Sequence, residues 1–168
     1  MKKIILLTGI LTIGTTFLSP WKPADYTIKF STQRAAGSIG GLKGLIDFDE
    51  GKPDASRFDV TVDLSTLDMG LGLKTRHAKQ ENFFHAEKYP LIRFRSAEII
   101  RQGAQYLTKG DLTIKGITRP VSIPFTFSKN GDEAQFAGSF ELHRKDFNLE
   151  RKGVGEIVKI ELTIPVKK

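Results

Sequence analysis

The sequence contains no cysteine. Disulfide frameworks, thiolate nucleophiles, iron–sulfur clusters and every cysteine-containing zinc site are therefore excluded. Histidine is scarce, with three in 168 residues. His77 and His85 lack the His-Glu-x-x-His spacing of a helical zinc site, and His143 stands apart, so no metal site is read here. There is no Gly-x-Ser-x-Gly elbow around a nucleophilic serine. The run Gly37-Ser38-Ile39-Gly40-Gly41-Leu42-Lys43-Gly44 fits neither a Gly-x-Gly-x-x-Gly turn nor a phosphate loop ending in Lys-Ser/Thr. It reads instead as glycine that lets a strand bend or bulge. Carboxylates fall on the wet phase of strands or in turns, where no acid–base pair would be split by burial. The first reading is therefore not an enzyme, and no cofactor is expected.

Long apolar runs are also missing, with one exception. Ile4 to Leu18 follows Lys2 and Lys3, and a charged start before an apolar stretch is the pattern of a secretory signal peptide. The run is short of the roughly 20 residues of a spanning helix, so an uncleaved anchor is the lesser alternative. Residues 1–20 are thus expected to be an export signal and residues 21–168 one domain. Without Lys2 and Lys3 the remaining 24 basic and 19 acidic residues leave a net charge of +5. Arg144, Lys145, Arg151 and Lys152 cluster, but Asp146, Glu150 and Glu156 dilute them. The first reading is a solvated hairpin, the second a contact with anionic lipid head groups. Stacking aromatics beside the basic residues, which a nucleic-acid surface would favour, are missing, so no nucleic acid is expected.

What the sequence does have is alternation. Tyr26, Ile28 and Phe30 take turns with polar residues. So do Phe58, Val60, Val62 and Leu64, then Ile92 and Phe94, then Leu112 and Ile114. Val121 to Phe127, Phe136 to Leu142 and Ile160 to Val166 complete the set. Period two gives each strand one apolar and one wet face. Turn signals separate them at Glu50-Gly51-Lys52-Pro53, Lys115-Gly116 and Asn130-Gly131. Pro124 falls on a polar phase and marks an edge or a bulge. With Gly37–Phe48 added, about eight strands suit either a sandwich or a closed antiparallel barrel. A barrel of about eight strands has room for one small ligand. Lys74 to Phe84 has no alternation and reads as a short helix that stops before Tyr89-Pro90. Met69-Gly70-Leu71-Gly72-Leu73 is apolar and flexible together. It either packs under that helix or lines the mouth of a cavity, where an exposed apolar patch would mark an interaction site.

Strand parity gives the inward candidates: Tyr26, Ile28, Phe30, Phe58, Val60, Val62, Phe94, Leu112, Phe125, Phe136, Phe140, Leu142, Ile160 and Leu162. A register slip of one residue would invert any strand. The same residues would make a solid core or line a hollow one.

Three stretches resemble the YceI-like family of bacterial envelope proteins, also called polyisoprenoid-binding proteins. The first is His77 with Asn82-Phe83-Phe84-His85-Ala86-Glu87-Lys88-Tyr89-Pro90-Leu91-Ile92-Arg93-Phe94. The second is Gly110-Asp111-Leu112-Thr113-Ile114-Lys115-Gly116-Ile117-Thr118-Arg119-Pro120-Val121, and the third is His143-Arg144-Lys145-Asp146-Phe147. The resemblance implies an all-β, antiparallel, eight-stranded, lipocalin-like barrel with one short helix and an apolar tunnel. It implies a periplasmic location, a bound polyisoprenoid, isoprenoid quinone or polyprenyl carrier, and no catalysis. Phe83, Phe84 and Tyr89 are then expected beside the cavity, with His77 as its polar contact. This sequence departs from the family pattern at Lys74 and Thr75, and at Asn82 and His85 where aspartates are usual. Those changes either alter head-group preference or only alter helix capping. A tunnel holding about 40 carbon atoms at about 0.3 kcal/mol each gives about 12 kcal/mol, so burial alone would suffice for nanomolar binding. Two rivals stay open: a hydrolase or isomerase using His77 with Glu81, and a solid module that docks a membrane partner. Contact with a membrane surface and a homodimer are compatible with all three.

Overall fold

The computed structural model describes residues 20–149 and 155–168. The expected export signal, apart from its last residue, lies outside the described residues, as do Glu150, Arg151 and Lys152 of the basic cluster. Among the described residues the order is β1 (Lys22–Pro23), β2 (Thr27–Ser31), β3 (Ala36–Asp47), β4 (Arg57–Asp68), α1 (Gly72–Lys79), β5 (Leu91–Gln102), β6 (Gln105–Ile114), β7 (Ile117–Asn130), β8 (Glu133–His143) and β9 (Ile157–Lys167).

Each strand from β2 to β9 pairs antiparallel with the next, and β9 also pairs with β2. The barrel is closed and eight-stranded. The two-residue β1 prolongs β2 along β9, pairing Lys22 with Lys167 and Pro23 with Val166. Closure removes the sheet edges that an open sheet would leave to aggregate. Meander order makes one end of the barrel carry the β2–β3 turn, the α1 segment, the β6–β7 turn and the β8–β9 connection. The other end carries β1 and the β3–β4, β5–β6 and β7–β8 turns.

Local chemistry explains the turns. Lys115 and Gly116 both adopt positive φ, 51° and 74°, as a two-residue hairpin of matching twist requires. The β7–β8 hairpin sits one residue later than its strongest signal. Asn130 still pairs with Glu133, so Gly131 and Asp132 form the turn. In β3 the register with β4 shifts twice, between Ser38 and Gly40 and between Gly40 and Lys43. The glycine run is a bulged stretch of strand, as its reading as a bend or bulge expects. Gly44 has φ 120°, and a side-chain carbon there would lie 2.1 Å from the Asp59 carbonyl oxygen.

Pro124 marks a seam. β7 pairs with β6 from Ile117 to Phe125, along nearly all of β6, but its pairing with β8 begins only at Phe125. Towards the α1 end the two strands part, and a 3-10 turn at Arg144–Phe147 fills the gap. Phe147 and Leu149 are buried there against Ile117, Val121 and Ile123.

The helix is shorter than expected, ending at Lys79 instead of Phe84. Successive helical residues point about 100° apart, which would hold Phe83 and Phe84 in different directions. The chain turns instead, with Phe84 N–H donating to Ala78 O at 3.1 Å, and both rings meet the barrel mouth.

Candidate functional site: an apolar cavity closed at one end

The interior divides into a solid half and a hollow half. At the β1 end Trp21 is 3% exposed, and its indole N–H donates to Phe48 O at 3.0 Å. Phe48 is the hub of a ring cluster, with Phe58, Tyr106, Phe125, Phe127 and Phe136 at centroid distances of 4.8–6.1 Å. Edge-on contacts of this kind add to area burial and seal that end.

Above the seal lies a cavity of about 230 Å³ that opens towards α1. Ile28 and Phe30 of β2, Val60 and Val62 of β4, Phe94 of β5, Leu112 of β6, Phe140 and Leu142 of β8, and Ile160 and Leu162 of β9 line it, together with Phe83 and Phe84. All ten of these strand residues are among those that parity turns inward. The wall is almost wholly apolar; Thr32, Thr61 and Arg144 are its polar side chains. No histidine, aspartate or glutamate lines it among the described residues.

Six expected site residues lie elsewhere. Phe58, Phe125 and Phe136 border a deeper void of about 90 Å³ between the cavity and the ring cluster. The Tyr26 hydroxyl accepts the Leu42 N–H at 2.6 Å and so braces the β3 bulge. Tyr89 packs its ring on Gly116 and against His85. His77 is half-buried on α1 and does not reach the cavity. It forms no hydrogen bond or ion pair with exposed Glu81 among the described residues, so the acid–base pair of the enzyme alternative is not assembled.

Several lining residues were missed. Ile114, Ile123, Val158 and Ile164 share the phase of residues that parity did select, so alternation held the signal. Leu42 and Leu67 lie by the bulged β3–β4 ladder, and Met69 and Leu149 in connections, where period two has no reach. Arg144 is the largest correction. It belonged to an expected solvated hairpin, yet it is 5% exposed. Its Nε donates to Gly155 O at 2.7 Å and its Nη1 to Leu149 O. The guanidinium carbon lies 6.0 Å from the Phe83 ring centre. Lys145 does stay on the surface, paired with Glu156.

The titration shifts sit outside the barrel. Arg93 donates two hydrogen bonds to Asp59 at 2.9 Å and, with Arg95, holds its carboxyl below the ordinary range. Hydrogen bonds from Lys145, Lys159 and Lys167 likewise lower Glu156, Glu161 and Glu133. These are exposed pairs of small energetic worth.

Within the deep void the Thr108 hydroxyl is buried and has no hydrogen-bond partner among the described residues. A buried hydroxyl without a partner costs free energy that an isosteric methyl does not. Thr108→Val should therefore raise unfolding free energy by about 1 kcal/mol, read as a higher denaturant midpoint at unchanged slope. A lower midpoint would mean the hydroxyl is satisfied in solution.

A profile of the YceI-like domain matches residues 21–166. A UPF0312 protein of Photorhabdus laumondii is 31% identical over 120 residues, which are 68% of this chain and 62% of that protein. The match thus spans less than two thirds of that relative's length. The crystal structure of BcnA from Burkholderia cenocepacia superposes with a TM-score of 0.79 at 24% identity, over 83% of this chain and 95% of BcnA. A polyisoprenoid binding domain from Saccharophagus degradans superposes with a TM-score of 0.67 at 10% identity, over 88% of this chain and 97% of that one. At these identities the two structures speak for the shared barrel.

Proposed function

The chain belongs to the YceI-like domain family, and we propose that it binds one long apolar lipid, an isoprenoid quinone or polyprenyl carrier, by burying the tail in the barrel. The observation that carries this reading is the half-hollow interior: an apolar cavity of about 230 Å³ with a sealed floor and one open end. A solid docking module would have no use for that space. The solved polyisoprenoid binding domain of the same fold supports the ligand class. Binding makes and breaks no bond in this reading, and an all-apolar wall suits it. We place the protein in the periplasm, where it would shield or carry the lipid.

The free volume limits the chain length. It is below the roughly 300–1,000 Å³ of ordinary ligand pockets. A tail of about 40 carbons, as the tunnel estimate assumed, is accommodated only if rings at the mouth move or part of the tail stays outside. Phe83 and Phe84 are half-buried, and their turn is free of strand pairing, so they are the side chains that give way. A quinone or polyprenol added from ethanol should co-elute with the protein at near-equal stoichiometry. A folded protein that elutes free of both would contradict the reading.

A further inference from the structure

Among the described residues four large hydrophobic side chains are exposed: Leu71, Leu73, Leu91 and Ile157. All four lie at one end of the barrel. Leu71 and Leu73 flank the start of α1, while Leu91 and Ile157 are the first residues of β5 and β9. That is the open end of the cavity; the sealed end has none. Single exposed leucines mean nothing, but four on one rim and none on the other are a polarised surface.

The most prominent are Leu71 at 58% and Leu73 at 61% exposure. The neighbouring Met69 lines the cavity, so the tip joins the ligand space directly. Gly70 and Gly72 have no atom within 4 Å of where a side chain would start, so the tip stands clear of the body. The first turn of α1 has no acidic residue. Exposed Lys74 and Arg76 form no ion pair among the described residues.

We propose that this rim docks on a bilayer with anionic head groups, with Leu71 and Leu73 inserted into the apolar layer and Lys74 and Arg76 against the head groups. An apolar tip beside basic side chains has the chemistry of an interfacial membrane contact. Docking would bring the cavity mouth to the membrane, so that an apolar tail passes between lipid and protein without crossing water. The inference rests on the lipid-binding reading and adds its partner surface.

The test uses the full chain as purified from cells and vesicles of phosphatidylethanolamine with or without phosphatidylglycerol. Co-sedimentation with the anionic vesicles is expected, weakening as salt rises. Leu71→Ser with Leu73→Ser should lower it at least tenfold. Lys74→Gln with Arg76→Gln should remove most of the preference for anionic over neutral vesicles. Equal sedimentation of the leucine variant would place the contact elsewhere, residues 4–18 included, and overturn the proposal. So would no sedimentation of the parent chain, or a dimer that the serine changes dissolve. Uptake of a quinone added from ethanol is measured in parallel. Normal uptake without vesicle binding defeats the docking alone, whereas failed uptake in both chains defeats the lipid-binding reading.

Discussion

Phe140→Asp is expected to abolish uptake of a long apolar lipid. Phe140 sits on β8, paired with Ile160, and faces an apolar stretch of the cavity whose one charged lining side chain among the described residues, Arg144, already donates to Gly155 O and Leu149 O. A carboxyl group there is either ionised and hydrated or protonated and still polar, and a tail that seats beside it must strip its water. The loss is expected to exceed 100-fold, since an unpaired polar group costs several kcal/mol on transfer to an apolar site. Phe140 is only half-buried because one side of its ring looks into free space, so the fold loses less than the about 3–5 kcal/mol of a fully packed phenylalanine. Quinone titration and a thermal melt on the same sample separate the two effects. Phe140→Leu, which keeps the wall apolar, should retain uptake within a few-fold. A folded aspartate variant that still takes up ligand would remove Phe140 from the binding surface.

Gly44→Val should produce the largest loss of stability. Gly44 holds φ at 120°, where a side chain is strained, and the new carbon would meet the Asp59 carbonyl oxygen at 2.1 Å and Val60 Cα at 2.9 Å. Both obstacles are backbone of the paired strand β4, so neither can swing away. Strain in φ and a forced shift of the β3–β4 ladder together are expected to cost about 3 kcal/mol or more. For a chain of this length that is a fall in Tm of roughly 10 °C. Gly103→Ala, in the β5–β6 hairpin with open space around it, should cost far less. Equal melting of the valine variant and the parent would mean that the bulge is mobile enough to absorb a side chain.

How far the sequence reaches is visible strand by strand. Alternation found β2 and β4 to β9 and their inward phases, because a closed barrel has one wet and one dry face along each strand. The glycine run was rightly read as a bend. The pattern could not carry parity through it, however, which is why Leu42 was missed. Parity fails again in β5, where the register shifts between Ser96 and Glu98 and Ile99 turns inward beyond it. Alternation also cannot tell a lining residue from a packed one. Phe58, Phe125 and Phe136 have the right phase, yet their depth along the barrel puts them in the aromatic floor. Arg144 was hidden for a different reason. Its neighbours are charged, so composition says surface, and only tertiary packing of the turn into the β7–β8 seam buries it. His77 shows the reverse: a position that the family resemblance favoured, on a helix that leaves it outside the cavity lining.

The most direct test of a hollow lipid-binding barrel is native mass spectrometry of the protein purified from the cell envelope, followed by solvent extraction of whatever it holds. The account predicts a second mass at near-equal stoichiometry that dissociates as one isoprenoid lipid. A single apo mass that persists after incubation with quinone and polyprenol would contradict it.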